Sequence, residues 1–341
     1  MTKNNLKEKL AEVNVLVEPI IKELLTRDVE KQNAEIAFYQ CSVGGKRIRP
    51  AMVVVSGQIF GGKTGDLIYP AASIEILHNA TLITDDIIDH SFSRRDQPTT
   101  WNKYGKSIAE CASLVYMASA FSGLSHAINS SKLIDLYAKT LKIIIDGEIK
   151  DILFERSGRE DEDFVTKNRY KTITDKDYFE MIGQKTAILL ETSCKTGAIC
   201  ADASEKQIET IGKFGFNLGM AFQIQDDILD IFGDEKEFGK KIGKDIIEKK
   251  MGNFVILSAI KRLKAADKKV ILDLLEGLKE ATDQDVAKVT ALIEKTDAKK
   301  SAEIVANSYI QNALASLKQL PQNEHNETLS ELAQYIIHRK K

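Results

Sequence analysis

One acidic string occurs twice in this chain, each time in surroundings that are otherwise apolar. DDIID at residues 85–89 returns as DDILD at residues 226–230. On a helix, the first and last aspartates of each string lie one turn apart on the same face. Three carboxylates this close repel one another, and burying them without a counter-charge is unfavourable. A divalent cation resolves both problems, because Mg²⁺ binds one or two carboxylates and completes its coordination with waters and substrate phosphates.

A single string of this kind could equally be a solvated helix face. The repetition favours function, since a solvated face fits poorly within an apolar helix. We therefore expect the two strings to face each other across a cavity, where a cluster of ions would hold a diphosphate. His78 is expected on the same helix face as Asp85. A lone histidine in a helix is more often a core residue, but this placement favours a ligand-binding role.

Basic residues accompany both strings. Lys46 and Arg49 lie in the segment GGKRIRP, where a glycine pair precedes two cations that can point the same way. Arg94 and Arg95 follow the first acidic string, and a guanidinium group matches phosphate oxygens in a bidentate manner. Lys185 lies in GQKTA, within a mostly apolar helical stretch, where a bound anion would explain a buried lysine.

Three more lysines, Lys240, Lys244 and Lys250, follow the second acidic string. The nearby Gly239 and Gly243 indicate a loop. For Lys244 and Lys250, a solvated loop therefore explains the lysines as well as an anion site does.

Helices must position these residues. The chain has only five prolines, and apolar residues recur three to five positions apart over residues 133–154, as on a buried helix face. Pro70 is interpreted as the start of the helix that carries the first acidic string. The sequence offers no train of alternating strands joined by tight turns. We predict an all-α chain of a dozen or so helices, including one after Pro321, in a single domain over residues 1–341.

The composition of the chain gives no support for a nucleic-acid-binding, secreted or membrane protein. The 48 basic and 50 acidic residues give a net charge of −2, which offers no electrostatic case for nucleic-acid binding. The cysteines form no C-x-x-C pair, so we expect four buried or half-buried thiols in a reducing compartment; they are Cys41, Cys111, Cys194 and Cys200. The N-terminus lacks the apolar core of a signal peptide, and no run is judged long enough to span a bilayer. A soluble, cytoplasmic protein is predicted.

Five segments, in their order along the chain, resemble the motifs of the trans-isoprenyl diphosphate synthases, also called polyprenyl synthetases. They are GGKRIRP (44–50), DDIIDHSFSRRDQPT (85–99), GQKTA (183–187), FQIQDDILDIFGD (222–234) and GKKIGKD (239–245). The resemblance implies an isoprenoid synthase-type helical bundle around a deep central cavity, and a homodimer. It also implies a prenyltransferase that condenses isopentenyl diphosphate with an allylic diphosphate.

The resemblance further implies a role for each matching residue. Two to three Mg²⁺ ions would be held by Asp85, Asp89 and Asp226, with assistance from Asp86, Asp227 and Asp230. The allylic diphosphate would be bound by Arg94, Lys185 and Lys240. The isopentenyl diphosphate site would consist of Lys46, Arg49, His78 and Arg95. Gln223 and Thr186 would lie beside the cationic carbon, and Asp151 would occupy a polar inward position.

Two departures from the family pattern stand out. Asp96 occupies the position after the arginine pair where glycine is usual, and its carboxylate could weaken anion binding or pair with Arg94 or Arg95. The stretch 251–254, MGNF, replaces the usual Thr-Leu-Pro, which puts a substrate-binding role for Lys250 in doubt. Neither departure replaces a predicted metal ligand.

Product length would be set by the helix wall one to three turns before Asp85. In the family, bulky aromatic residues just before the first aspartate stop growth early. Here the wall residues are Ile74, Leu77, Ala80 and Thr81. Because the last two are small, the expected products are C20 or longer.

Three other functions remain open at this point. Residues 57–64, GQIFGGKT, fit the P-loop pattern, but that motif needs a preceding strand and a helix directly after the lysine; we read the segment as a helix end plus a loop. A class I terpene cyclase shares the first acidic motif, yet needs no isopentenyl diphosphate site. A non-catalytic subunit of a heteromeric synthase would usually lack one aspartate motif.

Overall fold

A computed structural model describes residues 5–233, 242–277, 279 and 281–338. The chain divides into two compact units, which are described separately. Unit 1 comprises residues 1–139, 189–215 and 314–332, and unit 2 comprises residues 140–188, 216–313 and 333–341. The predicted ligand Lys240 lies outside the described residues.

The described residues are almost entirely helical, as predicted. The first eleven helices are α1 (Asn5–Thr26), α2 (Ala34–Ser42), α3 (Ile48–Ile59), α4 (Thr64–Ile88), α5 (Thr100–Tyr104), α6 (Lys106–Leu124), α7 (Ser130–Phe154), α8 (Asp163–Asn168), α9 (Asp175–Ile182), α10 (Ile188–Cys200) and α11 (Glu205–Phe232). The remaining six are α12 (Lys244–Ile247), α13 (Phe254–Arg262), α14 (Ala265–Glu276), α15 (Asp283–Glu294), α16 (Ala298–Leu317) and α17 (Glu324–His338). A 3₁₀ turn covers Lys31–Asn33, and one π-helical turn covers Gly183–Ala187. Strands β1 (Ser93–Arg94) and β2 (Gln97–Pro98) form one short antiparallel hairpin.

Helix α4 forms the centre of unit 1, where it packs against α1, α3 and α6. It is apolar around most of its circumference, which is the pattern of a fully buried helix. Close approach to α6 depends on a small residue, because a Cβ at Gly123 would lie 2.3 Å from Ser73 Oγ. The run Val53 to Val55, which resembles a strand by composition, lies buried within α3.

Two expectations about α4 were wrong in detail. The helix begins at Thr64, so Pro70 lies inside it rather than at its start. A helix therefore does follow Lys63 directly, contrary to the reason given against a P-loop. The P-loop is still not formed, because the segment before it is helix α3, which ends at Ile59, and not a strand.

Helix α6 corrects the expectation that no run is long enough to span a bilayer. Lys106–Leu124 reaches a mean hydropathy of 1.2 over an 18-residue window. Nearly half of that window, 44%, is buried inside the protein, and the helix packs along α4. Helix α6 is thus a core helix of unit 1 that meets a membrane criterion by length and composition alone.

The four cysteines are free thiols, but they are not all buried. Cys41, Cys194 and Cys200 are buried, and desolvation raises the pKa of each to about 12. Cys111 is exposed on α6, which corrects the expectation that every thiol would be at least half-buried.

In the core of unit 2, helices α9, α11 and α13 pack together around an aromatic cluster. The ring centroid of Phe254 lies 5.2 Å from that of Tyr178 and 5.3 Å from that of Phe179. A capping box between Thr174 and Asp177 fixes the start of α9 by satisfying backbone donors at both positions. The ring contacts and the capping box together fix the position of α9 and of the π-helical turn that follows it.

Candidate active site

The first acidic string occupies the last turn of α4 in unit 1. Asp85 and Asp89 are half-buried, and the Asp89 N–H donates to the Asp85 carbonyl over 2.8 Å, so the two lie one helical turn apart as predicted. Asp86 points elsewhere and is only 1% exposed. The string therefore separates into two partly exposed carboxylates and one buried carboxylate.

Arg94 is the counter-charge of buried Asp86. Its Nε lies 3.0 Å from both carboxylate oxygens, and its Nη2 lies 2.8 Å from Oδ1. Burial lowers the pKa of Arg94, but the hydrogen bonds and charge of Asp86, with the charges of Asp85 and Asp89, raise it overall. Arg94 is thus held beside the acidic string, with 22% of its side chain exposed.

The β1–β2 hairpin explains why glycine would suit position 96. Its two turn residues, Arg95 and Asp96, have φ values of 54° and 59°. This left-handed conformation is strained for most residues, although aspartate tolerates it better than most. Asp96 is exposed and, among the described residues, forms an ion pair with neither Arg94 nor Arg95, so the pairing suggested from the sequence is wrong.

Arg95 folds back onto the GGKRIRP segment. It donates to the Gly44 carbonyl. A Cβ at Gly45 would lie 3.1 Å from both terminal nitrogens of Arg95 and 2.9 Å from Arg47 Nη1. Because Gly45 also has a φ of 150°, glycine is required there both for its backbone and for the approach of two guanidinium groups.

Arg47, which the sequence did not single out, is the structural cation of this segment. It is 2% exposed and donates to Glu18 Oε1 over 2.7 Å and to Glu75 Oε1 over 2.9 Å. It also bonds the carbonyls of Gly44 and Cys41. Arg47 therefore ties the loop to α1 and α4, while its neighbour Lys46 is exposed.

His78 lies at the centre of a cationic region. Burial lowers its pKa well below the usual value, and the charges of Arg49, Arg95, Arg94 and Arg47 lower it further. His78 is consequently neutral at physiological pH. Unit 1 thus brings Arg49, Arg94 and Arg95 close to His78, on the helix that ends in the first acidic string.

The second acidic string lies at the end of α11 in unit 2. Asp226 is half-buried, whereas Asp227 and Asp230 are buried. The Asp230 carboxylate accepts the backbone N–H groups of Lys244 (3.0 Å) and Asp245 (3.2 Å), so it caps the start of α12. Burial, with the charge of Asp245, raises the pKa of Asp230.

Asp227 is bonded on both carboxylate oxygens. Oδ2 accepts the Tyr178 hydroxyl and the Phe254 N–H, each over 2.7 Å. Oδ1 accepts Gln223 Nε2 over 3.0 Å. The Gln223 oxygen in turn accepts the Thr186 hydroxyl over 3.0 Å, so a continuous chain of hydrogen bonds links α9, α11 and the π-helical turn.

Lys185 lies in that π-helical turn, a feature that often marks functional sites. Its ammonium nitrogen is 2.6 Å from Glu148 Oε2 and 2.6 Å from Asp151 Oδ2. The two acidic side chains already explain a partly buried lysine, which corrects the argument that a bound anion was needed. A Cβ at Gly147 on α7 would lie 2.4 Å from the Lys185 backbone nitrogen, so glycine permits this contact.

The lysines after α11 differ in environment. Lys250 is 8% exposed and lies 3.3 Å from Glu248 and 3.7 Å from Asp151, so the solvated-loop reading is wrong for it. Lys244 is 42% exposed at its side chain and pairs with Glu248 over 2.9 Å. Lys244 is therefore half-buried, and it lies at the start of α12 rather than in a loop.

The MGNF departure has a structural role that the sequence did not reveal. Asn253 is fully buried, and its oxygen accepts the N–H groups of Val255 and Ile256 at the start of α13. Its amide donates to Asp245 Oδ2 over 2.8 Å. Asp245 thereby joins the acidic residues of unit 2, and its pKa is raised by burial.

The donor groups of each string suit Mg²⁺. Among the described residues, no three histidine, cysteine or acidic side chains converge into a ready-made metal cage. Such a cage is not what this ion requires, because Mg²⁺ is commonly bound through one or two carboxylates together with substrate phosphates and waters. Asp85 with Asp89, and Asp226, present carboxylate oxygens that are neither fully buried nor fully exposed.

The predicted chain-length wall lies along α4, upstream of the acidic string. Three of its members are fully buried; they are Ile74, Leu77 and Ala80. Thr81 is half-buried, and its hydroxyl donates to the His78 carbonyl over 2.8 Å. The Ala80 carbonyl accepts Ser113 Oγ of α6 over 3.4 Å.

Comparison with known proteins defines the class to which this all-α fold and its acidic strings belong. The sequence profile of the family "Polyprenyl synthetase" matches residues 30–296. Geranylgeranyl diphosphate synthase from Sulfolobus acidocaldarius is 34% identical over 333 residues, 95% of this chain and 96% of the relative. Heptaprenyl diphosphate synthase component 2 from Bacillus subtilis is 32% identical, over 90% of this chain and 82% of the relative.

Solved structures agree with the sequence comparison. The crystal structure of geranylgeranyl pyrophosphate synthetase from Pyrococcus horikoshii superposes with a TM-score of 0.88 and 30% identity, covering 98% of this chain and 99% of that chain. The chain therefore belongs to the polyprenyl synthetase family. The predicted fold class and the predicted reaction class, prenyl transfer, are confirmed.

Proposed function

We propose that this protein condenses isopentenyl diphosphate with an allylic diphosphate, in a Mg²⁺-dependent head-to-tail reaction that gives all-trans products of C20 or longer. The observation that best supports this proposal is the arrangement of charged residues in unit 1. Two partly exposed carboxylates, Asp85 and Asp89, end the helix that carries His78, and the charges of Arg49, Arg94 and Arg95 act on that histidine. Carboxylates for a metal ion next to cations for phosphate are what a diphosphate substrate requires.

The proposed reaction depends on stabilising the charges that develop on the leaving diphosphate and on the allylic carbon. Bound Mg²⁺ would supply the positive charge that stabilises a leaving diphosphate. The arginines and Lys185 would bind its oxygens, and burial of the remaining chain would keep water from the allylic cation. The double bond of isopentenyl diphosphate then attacks that cation, and a proton is lost from the adduct. The released diphosphate is the proposed proton acceptor, so no side-chain base is needed.

Each site residue receives a role in this proposal. Asp85, Asp89 and Asp226 would hold two to three ions. Arg94 and Lys185, with Lys240, would bind the allylic diphosphate. Lys46, Arg49, His78 and Arg95 would bind isopentenyl diphosphate. Asp86, Asp227 and Asp230 would assist the metal ligands. Thr186 and Gln223 would lie beside the cationic carbon.

Product length is proposed to depend on the wall along α4. The two relatives are named for geranylgeranyl and heptaprenyl products, which are C20 and C35 chains, and Ala80 leaves room for growth beyond C15. We expect Ala80→Phe to shorten the products by at least one isoprene unit, because the added ring would fill the space below Asp85. Chromatography of the dephosphorylated alcohols gives the readout.

The control for this change is Ala287→Phe, which adds the same ring on the exposed face of α15. Its products are expected to match those of the wild type. An unchanged product distribution for Ala80→Phe, with normal turnover, would show that Ala80 does not line the growing chain.

We also propose a cytoplasmic homodimer, in which residues 1–341 of each subunit form a single prenyl synthase domain. Support for association comes from α6, where an apolar face is open in the single chain: Leu114 is 70% exposed and Ile108 is 42% exposed. Such a face is typical of a protein interface. Leu114→Lys is expected to shift the protein from dimer to monomer in sedimentation-velocity experiments. A monomeric wild-type protein, or a dimer that the variant leaves intact, would contradict this assignment.

One assay tests the function against its rivals. Labelled isopentenyl diphosphate is offered with C5, C10 or C15 allylic primers, with and without Mg²⁺. Incorporation into longer prenyl diphosphates is expected only with the metal. Hydrocarbon formed from a primer alone would indicate a terpene cyclase. No product from the purified chain would indicate a subunit that needs a partner, a possibility raised by the "component 2" relative.

A further inference from the structure

Tyr178 is a buried tyrosine for which the proposed reaction has no direct use. It is fully buried on α9 and packs against the rings of Phe179 and Phe254, whose centroids lie 5.3 Å and 5.2 Å from its own. Its hydroxyl donates to Asp227 Oδ2 over 2.7 Å. The ring contacts and this hydrogen bond together restrict the position of the hydroxyl.

The hydrogen bonds around Asp227 determine which way the Gln223 amide faces. In the structure, the Gln223 NH₂ group donates to Asp227 Oδ1, which lies 3.0 Å away. The Gln223 oxygen then faces the Thr186 hydroxyl, which donates to it over 3.0 Å. The Thr186 proton is thereby turned inward, and the lone pairs of its oxygen remain available on the other side.

We propose that Tyr178 is a positioning residue for the allylic cation. It holds Asp227 in the one orientation in which Gln223 presents its amide oxygen, and Thr186 its hydroxyl oxygen, to the reacting carbon. This inference rests on the proposed function, in which Thr186 and Gln223 lie beside that carbon. Oxygen atoms with partial negative charge stabilise a cation only when they are oriented before it forms.

Substitution can remove the bond from Tyr178 without changing the shape of the ring. The second donor to Asp227 Oδ2 is the Phe254 backbone N–H, which no side-chain change eliminates. Without the hydroxyl, Asp227 keeps only the bonds from the Phe254 N–H and the Gln223 amide, so its carboxylate and the Gln223 amide are held less firmly in this orientation. The effect should appear in the chemical step and not in substrate binding, since the hydrogen bond of Tyr178 goes to Asp227 and not to a proposed phosphate ligand.

The test is Tyr178→Phe, which keeps the ring and removes only the hydroxyl. We expect kcat to fall about 10-fold, as for loss of a hydrogen bond to a charged group, with KM for both substrates within about twofold of wild type. The matched control is Tyr137→Phe, which removes another buried tyrosine hydroxyl, one that donates to the Pro70 carbonyl over 3.2 Å. The control should lose thermal stability to a similar extent and keep its kcat.

A double-variant cycle separates positioning from general damage. If Tyr178 acts through Gln223, Tyr178→Phe should lower kcat much less in a Gln223→Met background than in the wild type. Equal effects in the two backgrounds, or a Tyr178→Phe enzyme with wild-type kcat, would overturn the proposal. All kinetics are measured at a temperature where circular dichroism shows each variant folded. A wild-type chain without prenyltransferase activity would instead overturn the proposed function.

Discussion

Replacing Asp85 or Asp226 with asparagine is expected to lower kcat about 1,000-fold, since each change removes a carboxylate worth several kcal/mol of transition-state stabilisation at a metal site. Asparagine keeps the shape of the side chain, and both aspartates are only half-buried. The fold should therefore be retained. Single-turnover incorporation of labelled isopentenyl diphosphate at saturating Mg²⁺ provides the measurement.

Two controls distinguish loss of a ligand from loss of structure. Asp66→Asn changes an exposed aspartate in the first turn of the same helix, α4, and should leave turnover unchanged. Asp86→Asn removes the buried partner of Arg94 and should lower stability as well as activity. The assignment of the metal ligands is wrong if Asp85→Asn or Asp226→Asn retains more than a tenth of wild-type kcat.

Changing Arg47 to methionine is expected to destabilise the protein by about 3–5 kcal/mol, because it leaves a buried glutamate without its partner. Glu75 is 2% exposed, and its Oε1 lies 2.9 Å from Arg47 Nη1. Urea denaturation followed by circular dichroism measures the loss. Replacing both members of the pair, in Arg47→Met/Glu75→Met, should recover most of it, since a buried ion pair contributes little beyond an apolar pair of similar volume.

Lys46, next to Arg47 in the sequence, is expected to affect substrate binding rather than stability. Lys46 is exposed, so Lys46→Met should leave the free energy of unfolding nearly unchanged. Its KM for isopentenyl diphosphate should rise about tenfold, as expected for loss of a charged contact to phosphate. A large loss of stability in Lys46→Met, or none in Arg47→Met, would reverse the roles assigned to these two adjacent cations.

The sequence predicted those parts of the site that depend on local spacing. Helical periodicity places Asp85 and Asp89 one turn apart, and this holds for any regular helix whatever packs around it. Three to five residue spacing of apolar side chains likewise predicted long helices such as α7. The recurrence of the acidic string within apolar surroundings was the signal that favoured a functional site over a solvated surface.

Residues whose role depends on distant partners were not predictable in this way. Arg47 is buried in GGKRIRP because it pairs with Glu18 on α1 and Glu75 on α4, both of which lie far from it along the chain. Tyr178 contacts Asp227, 49 positions further along the chain, and no local pattern indicates the pairing. Pro70 was misplaced because proline favours a first helical turn without being confined to it.

Calorimetric titration with inorganic pyrophosphate tests most directly whether the acidic strings bind diphosphate through metal ions. Wild-type protein should bind pyrophosphate tightly with Mg²⁺ and at least 100-fold more weakly in EDTA, because carboxylates repel the bare anion. Asp85→Asn and Asp226→Asn should each weaken the Mg²⁺-dependent binding, whereas Asp66→Asn should not. Equal affinity with and without Mg²⁺, or wild-type affinity in either variant, would contradict the proposed site.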